Sequence, residues 1–449
     1  MGARLSDSRL YSHLWGTDEL RGLFDEEARL QRWLDIVAAL ARAQAKLGII
    51  PAASAEEITR SARVERLDLD LVAEETRRTS HSTLGLIHGL QRVLPSPARD
   101  HVYVGTTVQD VTDTWTALTM AAVGQTVWRD LRAIEDLLID LAVAHRGTLM
   151  VGRTHGQPGA PITFGFKAAS WADEVRRHLA RLADARPRWL VGQLGGAVGA
   201  LGFFGADGPA LRAAFCAELG LGEPAISWLT ARDRVAEFGT VLAMVSSTLA
   251  RIGTEVYELQ RPEIGELREP TTASAVGSIT MPHKRNPEAS EHLDTLSRLV
   301  RANAGVLLDG MVGAHERDGR AWKAEWVAFP EVCLLTGSAL AVAIGLLSGL
   351  EVDAEAMATR ASAAESRAGS ERALSILTRR LGRNEAQDAL HQALQPGALH
   401  PPDLAQAGLL TDDELGSLAA PALDGARAMV DEVVARARAA RRGEPEIWA

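Results

Sequence analysis

Cysteine is almost absent from this chain. Its 449 residues hold two, Cys216 and Cys333, far apart and each inside an apolar stretch. This excludes a disulfide framework and any Cys/His set with zinc spacing. It predicts two buried thiols in a reducing compartment. No HExxH motif or His/Asp cluster stands ready for a metal, so neither a metal nor a cofactor is expected. Aromatic residues are 5% of the total and the formal net charge is -10. Nucleic-acid binding needs a basic stripe and a stacking surface, and this composition supplies neither. The glycines at 192–208 follow no strand pattern, which leaves a dinucleotide loop unsupported. The opening segment MGARLSDSRLYSHLW carries no apolar targeting region, so the expected location is the cytoplasm. Lysine is also rare: Lys46, Lys167, Lys284 and Lys323 stand against many arginines. A lysine is a point charge where arginine is a planar fork, so these positions carry chemical meaning.

What the chain has in abundance is helical periodicity. Hydrophobic residues make up 46%, enough for a large core divided among two or three domains. Apolar residues recur at three- and four-residue spacing over 26–47, 113–145, 233–260 and 286–308. Pro51 is read as the stop of the first of these. A fifth stretch, VCLLTGSALAVAIGLLSGL at 332–350, is uncharged and nearly long enough to span a bilayer. Its glycines, serines and acidic flanks favour a helix buried in a bundle, and no second stretch reads this way. Long helices in mid-chain suit a bundle of nearly parallel rods. Between them lie segments rich in Gly, Pro, Thr and Ser at 104–109, 152–163, 192–208 and 270–287, read as loops on a rigid scaffold. From about Val352 the chain becomes Ala- and Arg-rich, with a break at PGALHPPDL, 396–404.

The loop GSITMPHKRNP at 277–287 gathers a hydroxyl, an imidazole, an ammonium, a guanidinium and an amide. Pro287 opens a helix at its first turn. By composition alone this is a solvated loop with donors suited to a carboxylate. It resembles, however, the signature loop of the fumarase/aspartase superfamily, G-S-S-x-M-P-x-K-x-N-P, and departs from it at Ile279. The resemblance implies that Ser278 is the general base, acting as an alkoxide on a proton beside a carboxylate. It implies that Lys284 and Asn286 hold that carboxylate. Removing such a proton leaves a doubly charged enediolate, which only donors already aimed at it can stabilise. A serine base also needs a depressed pKa, hence a nearby cation.

Three further segments extend the resemblance over nearly the whole chain. GRTHGQPGAPITFG at 152–165 is similar to the family's R-T-H-G-Q motif. It implies His155 as acid or orienting group, Thr154 as a substrate ligand, and Glu291 as the carboxylate partner of His155. VGTTVQDVTDT at 104–114 is similar to the G-x-T-S-x-D-x-x-D-T motif. It brings Thr106 and Thr107 to the substrate, with Val108 in place of a serine. Asp110, Asp113 and Thr114 are read there as capping the following helix. TSHST at 79–83 resembles the stretch that gives adenylosuccinate lyases a second histidine, here His81. HERDGRAWKAEW at 315–326 and GQLGGAVGA at 192–200 lean towards the 3-carboxy-cis,cis-muconate cycloisomerases, as does Trp228. Arg317 and Lys323 become candidate ligands for the distal group.

The resemblance implies an all-α fold of three helical domains, expected at 1–104, 105–351 and 352–449. The central long-helix bundle would join three others in a twenty-helix homotetramer, each active site shared by three subunits. The implied activity is a lyase for a small succinyl-type dicarboxylate, expelling an amine, an alkoxide or nitrite and releasing fumarate. Cycloisomerase and adenylosuccinate lyase activities are the alternatives within the family. A non-catalytic, crystallin-like reuse of the fold is the alternative outside enzymology.

Overall fold

The computed structural model describes residues 4–271, 277–281, 283–368, 370–393, 404, 408–418 and 421–448. Apart from Leu404, the break at 396–404 lies outside them. The described chain is almost wholly helical. An N-terminal group comprises α1 (Asp18–Phe24), α2 (Glu26–Lys46), α3 (Ala52–Ser61), α4 (Leu69–Thr79) and α5 (Leu84–Val93). Then α6 (Val108–Ala144) leads into a two-stranded hairpin, β1 (Leu149–Thr154) and β2 (Gln157–Thr163), and on to α7 (Phe164–Trp189) and α8 (Gly208–Glu218). The bundle is completed by α9 (Asp233–Gln260), α10 (Glu288–Asp309) and α11 (Gly319–Ser348). A short pairing of β3 (Leu267–Arg268) with β4 (Glu351–Val352) closes one end. Beyond it come α12 (Ala354–Ala368), α13 (Ser370–Leu381), α14 (Arg383–Ala393), α15 (Asp412–Leu418) and α16 (Asp424–Gly443).

Side-chain capping sets several of the helix starts. Asp25 accepts from the Glu27 and Ala28 N–H groups, at 3.0 and 3.2 Å, and opens α2. α2 stops at Lys46, before Gly48 at φ 71°, so Pro51 is not its terminator; Pro51 instead precedes α3. α6 begins five residues earlier than its apolar spacing predicts, because Thr107 and Asp110 form a capping box. α7 was hidden by its many charges and by Pro187 near its C-terminal end. The Gly/Pro segment at 152–163 is not a loop but most of the β1–β2 hairpin.

The apolar side chains form one large core between α6, α7, α9, α10 and α11, joined by Val430, Val434 and Trp448 from the C-terminal end. A second cluster joins α2, α3 and α5 to the first turns of α6 and to α8, and a third lies within 373–410. The uncharged stretch at 332–350 extends to become α11, with Val332, Cys333, Ala339 and Leu340 wholly buried. Each such leucine contributes roughly 2 kcal/mol of burial energy, which accounts for the stretch without a membrane. α9 also has the length and hydropathy of a membrane span, a second stretch of this kind that periodicity alone passed over. Both are mostly buried in the bundle.

The bundle has two distinct ends, with α6, α9 and α11 starting at the same one. The starts of α6, α9 and α11 meet where Arg232 bonds Asp113 and Glu325, at 2.9 and 2.8 Å. The opposite end holds the hairpin, where Arg153 bonds Glu266 at 2.7 Å, and the start of α10, where Glu269 accepts from the Ser290 N–H at 2.8 Å. The 37 residues of α6 separate these ends by about 55 Å.

Candidate active site

At the first end, the predicted Thr107 sits as the N-cap of α6, half-buried. Its neighbour Thr106 donates to the Tyr103 carbonyl at 3.0 Å. Asp110 ties Thr107 to the loop at 192–208: its carboxylate accepts from the N–H groups of Thr107, Gly195 and Gly196 at 2.9, 2.7 and 3.1 Å. Burial pushes this carboxyl up to about 7, against the three N–H donors that hold its ionised form. Arg317 lies over the same loop, donating to the Ala197 carbonyl at 3.1 Å. Lys323 is exposed on the first turns of α11, two residues before the buried Glu325. His81 is exposed before α5, and its Nδ1 accepts from the Leu84 N–H at 3.2 Å. Asp113 and Thr114 do not cap the helix as expected. They lie inside α6 and tie it to Arg232 and to the Gln193 carbonyl. Trp228 is buried and donates to the Gly192 carbonyl at 3.0 Å, a structural part rather than a surface ligand.

At the other end, Ser278 and Asn286 sit half-buried on one loop leading into α10. Ser278 Oγ accepts from the Met281 N–H at 3.0 Å. Asn286 Nδ2 donates to the Gly277 carbonyl at 2.8 Å, pinning the two limbs of the loop together. A Cβ at Gly277 would collide with the Lys284 carbonyl, so this tight fold requires glycine. Lys284 is exposed, and its ammonium makes no ion pair among the described residues. Pro282 of the same motif lies outside the described residues. Glu291 is exposed on the first turn of α10.

Thr154 and His155 occupy the tip of the hairpin at this same end, both exposed. His155 and Gly156 are the two turn residues, at φ 52° and 73°, the pairing that a type I′ turn demands. Glycine takes that conformation freely, whereas histidine costs roughly 1 kcal/mol there. The turn carries the imidazole at its outermost point. Within one chain no hydrogen bond joins His155 to Glu291 among the described residues. The structure therefore brings Ser278, Lys284, Asn286 and Glu291 to one loop–helix junction. Thr154 and His155 lie on a neighbouring hairpin. Thr106, Thr107, His81, Arg317 and Lys323 lie at the far end of the rods.

Comparison with known proteins places this geometry. Residues 15–301 match the lyase family. The chain is 38% identical over 392 residues to N-acetyl-S-(2-succino)cysteine lyase of Dickeya dadantii, covering 87% of this chain and 86% of that one. The chain belongs to the lyase family of the fumarase/aspartase superfamily. Within it, this lyase is also 36% identical over 441 residues to 3-carboxy-cis,cis-muconate cycloisomerase of Pseudomonas aeruginosa, covering 95% and 96% of the two chains. Its fold superposes on the 3-carboxy-cis,cis-muconate lactonizing enzyme of Pseudomonas putida with a TM-score of 0.87, at 33% identity, over 96% and 99%. The protein is thus an enzyme of the adenylosuccinate lyase and cycloisomerase-like branch. The Dickeya enzyme's name points to a sulfur leaving group, which the expected amine, alkoxide and nitrite omit. Sequence reasoning also missed the buried Arg232, Asp113 and Glu325 network, whose members look like ordinary surface charges until their burial is seen.

Proposed function

We propose that this lyase eliminates a leaving group from a succinyl-type dicarboxylate and releases fumarate, with Ser278 as the base. The supporting observation is that Ser278, whose hydroxyl accepts from the Met281 N–H, and Lys284, whose ammonium has no ion-pair partner among the described residues, share one short segment ahead of α10. A cation without a protein anion favours the alkoxide and the substrate carboxylate alike. Ser278 takes a methylene proton beside one carboxylate, giving the enediolate held by Lys284 and Asn286. The electron pair then forms the double bond as the bond to the leaving atom breaks. His155, oriented by Glu291, protonates or steadies the departing group. Thr106, Thr107 and Thr154 bind the second carboxylate, with Arg317 and Lys323 towards the distal substituent.

These roles need residues from both ends of the rods, about 55 Å apart in one chain. The proposal therefore includes assembly, as a homotetramer in which several copies contribute to each site. Among leaving groups we favour a thiolate, in keeping with the Dickeya relative. A thiol with pKa near 8.5 departs more easily than an amine or alkoxide and asks less of His155. Cycloisomerisation of a carboxymuconate is the second reading, favoured by the end-to-end likeness to the Pseudomonas enzymes.

A substrate panel separates these readings. Fumarate absorbance is followed with N-acetyl-S-(2-succino)cysteine, nitrosuccinate, adenylosuccinate and aspartate, and ring closure with carboxymuconate. The thioether is expected to turn over. Ser278→Ala is expected to lower kcat by about 10³-fold with unchanged helical content. Native-like turnover by that variant would remove the base assignment.

A further inference from the structure

A half-buried cation and an unused indole N–H line one cavity near the first end of the bundle. This cavity, of about 80 Å³, lies between α2, the first turns of α6 and the start of α11. Its walls include Arg29, Trp33, Ser82, Trp115, Trp322 and Trp326. The Trp322 and Trp326 rings meet edge to face with centroids 4.8 Å apart. Arg29 is half-buried, and burial holds its guanidinium below the usual arginine range. It makes no hydrogen bond or ion pair among the described residues. Asp25 and Glu26 act on it through space only, and the Asp25 carboxylate is engaged in capping α2. The two carboxylates in the cavity wall, Asp113 and Glu325, are both bonded by Arg232. Trp33 has a buried indole N–H with no acceptor among the described residues.

The buried Trp33 N–H calls for an explanation, because a buried polar group without a partner costs free energy, and the half-buried Arg29 beside it keeps its charge free for a ligand. The cavity wall thus combines tryptophan rings, one cation and one N–H that lacks an acceptor among the described residues. An anion on a short apolar body supplies it. The cavity holds far more than one water, which needs roughly 10–15 Å³, and so has room for a carboxylate on a small acyl body. Ser82 in the wall adjoins His81, and Trp322 adjoins Lys323. The cavity therefore lies beside the segments expected to carry the distal-end ligands.

We propose that this cavity is a leaving-group subsite, in which Arg29 binds a carboxylate carried by the departing thiol or amine and the tryptophans hold its apolar body. The substrate class is then a succinyl adduct of an N-acyl amino acid. This rests on the lyase reading above, and its test is chosen to stand apart from turnover.

Calorimetric titration of the native oligomer with N-acetylcysteine, and with N-acetylcysteamine, which lacks the carboxylate, reads the subsite directly. N-acetylcysteine is expected to bind, and Arg29→Gln to weaken it by about 10-fold or more while leaving N-acetylcysteamine unchanged. Trp33→Phe, which keeps an aromatic ring but removes the N–H, is expected to weaken N-acetylcysteine several-fold and covers the case of a poorly folded Arg29→Gln. In turnover, Arg29→Gln should raise KM for the N-acetylcysteine adduct and spare kcat. Equal affinity of the two thiols, or indifference of both to either substitution, overturns the subsite. Carboxylate-selective binding without fumarate from any substrate upholds the carboxylate site and overturns the elimination proposed above instead.

Discussion

Ser278 and His155 show how differently single residues reveal themselves. The loop around Ser278 was legible because its residue types occur in a long, specific order. His155 was legible for the same reason, but its backbone, left-handed at the tip of a hairpin, was not. Only the pairing of Thr154 with Gln157 shows that two residues must turn the chain there. Arg29 left no trace in the sequence, since a lone arginine on an amphipathic helix looks solvated until the cavity beside it is seen. His178 is a further case. It is buried, its Nε2 sits 2.8 Å from Thr248 Oγ1, and Thr248 in turn donates to Glu174 at 2.6 Å. Burial and the nearby Arg181 push its pKa down to about 4. Its folded value lies below its unfolded value near 6.5, so the unfolded state takes up the proton first. The contribution is whole above pH 6.5 and disappears as pH falls towards 4, a swing of about 3 kcal/mol. Denaturant unfolding across this range should show the native protein losing that much relative to a His178→Asn variant. A constant difference between the two would exclude the assigned role.

At the scale of elements, spacing located α2, α9 and α10 within a few residues, because their apolar faces repeat at helical intervals against a polar background. It failed where charge or special geometry intervened. α7 is so rich in arginine that its buried face was diluted, and the hairpin's glycines and prolines imitate a loop. The start of α6 depends on a capping box rather than on apolar spacing. What holds the starts of three rods in register is the buried Arg232, bonded to Asp113 on α6 and Glu325 on α11 and stacked 5.2 Å over Trp228. Replacing Arg232 with Met leaves two buried carboxylates without their cation, a loss of about 3–5 kcal/mol. The expected result is a sharply lower unfolding midpoint, with activity falling in step as Thr107 and Lys323 lose their shared anchor. Stability within 1 kcal/mol of native, on the scale of an exposed pair, would show the network to be dispensable.

At the scale of the molecule, the all-helical class and the family were readable from sequence, while the proposed sharing of the site among copies came only through resemblance. The geometry gives that proposal a physical argument. A rod of 37 residues separates the Thr107 end from the Ser278 end, and no bending of one chain closes about 55 Å. The decisive measurement is therefore complementation between two inactive variants. Ser278→Ala lacks the proposed base, and Thr107→Asp keeps a good N-cap but sets a negative charge against the proposed dicarboxylate. Unfolded together and refolded as a mixture, they are expected to regain activity up to about a quarter of native, because in a symmetric oligomer some sites draw both intact segments from different copies. A mixture as inactive as its parents, with mixed oligomers shown to form, would contradict a site built across copies of this chain.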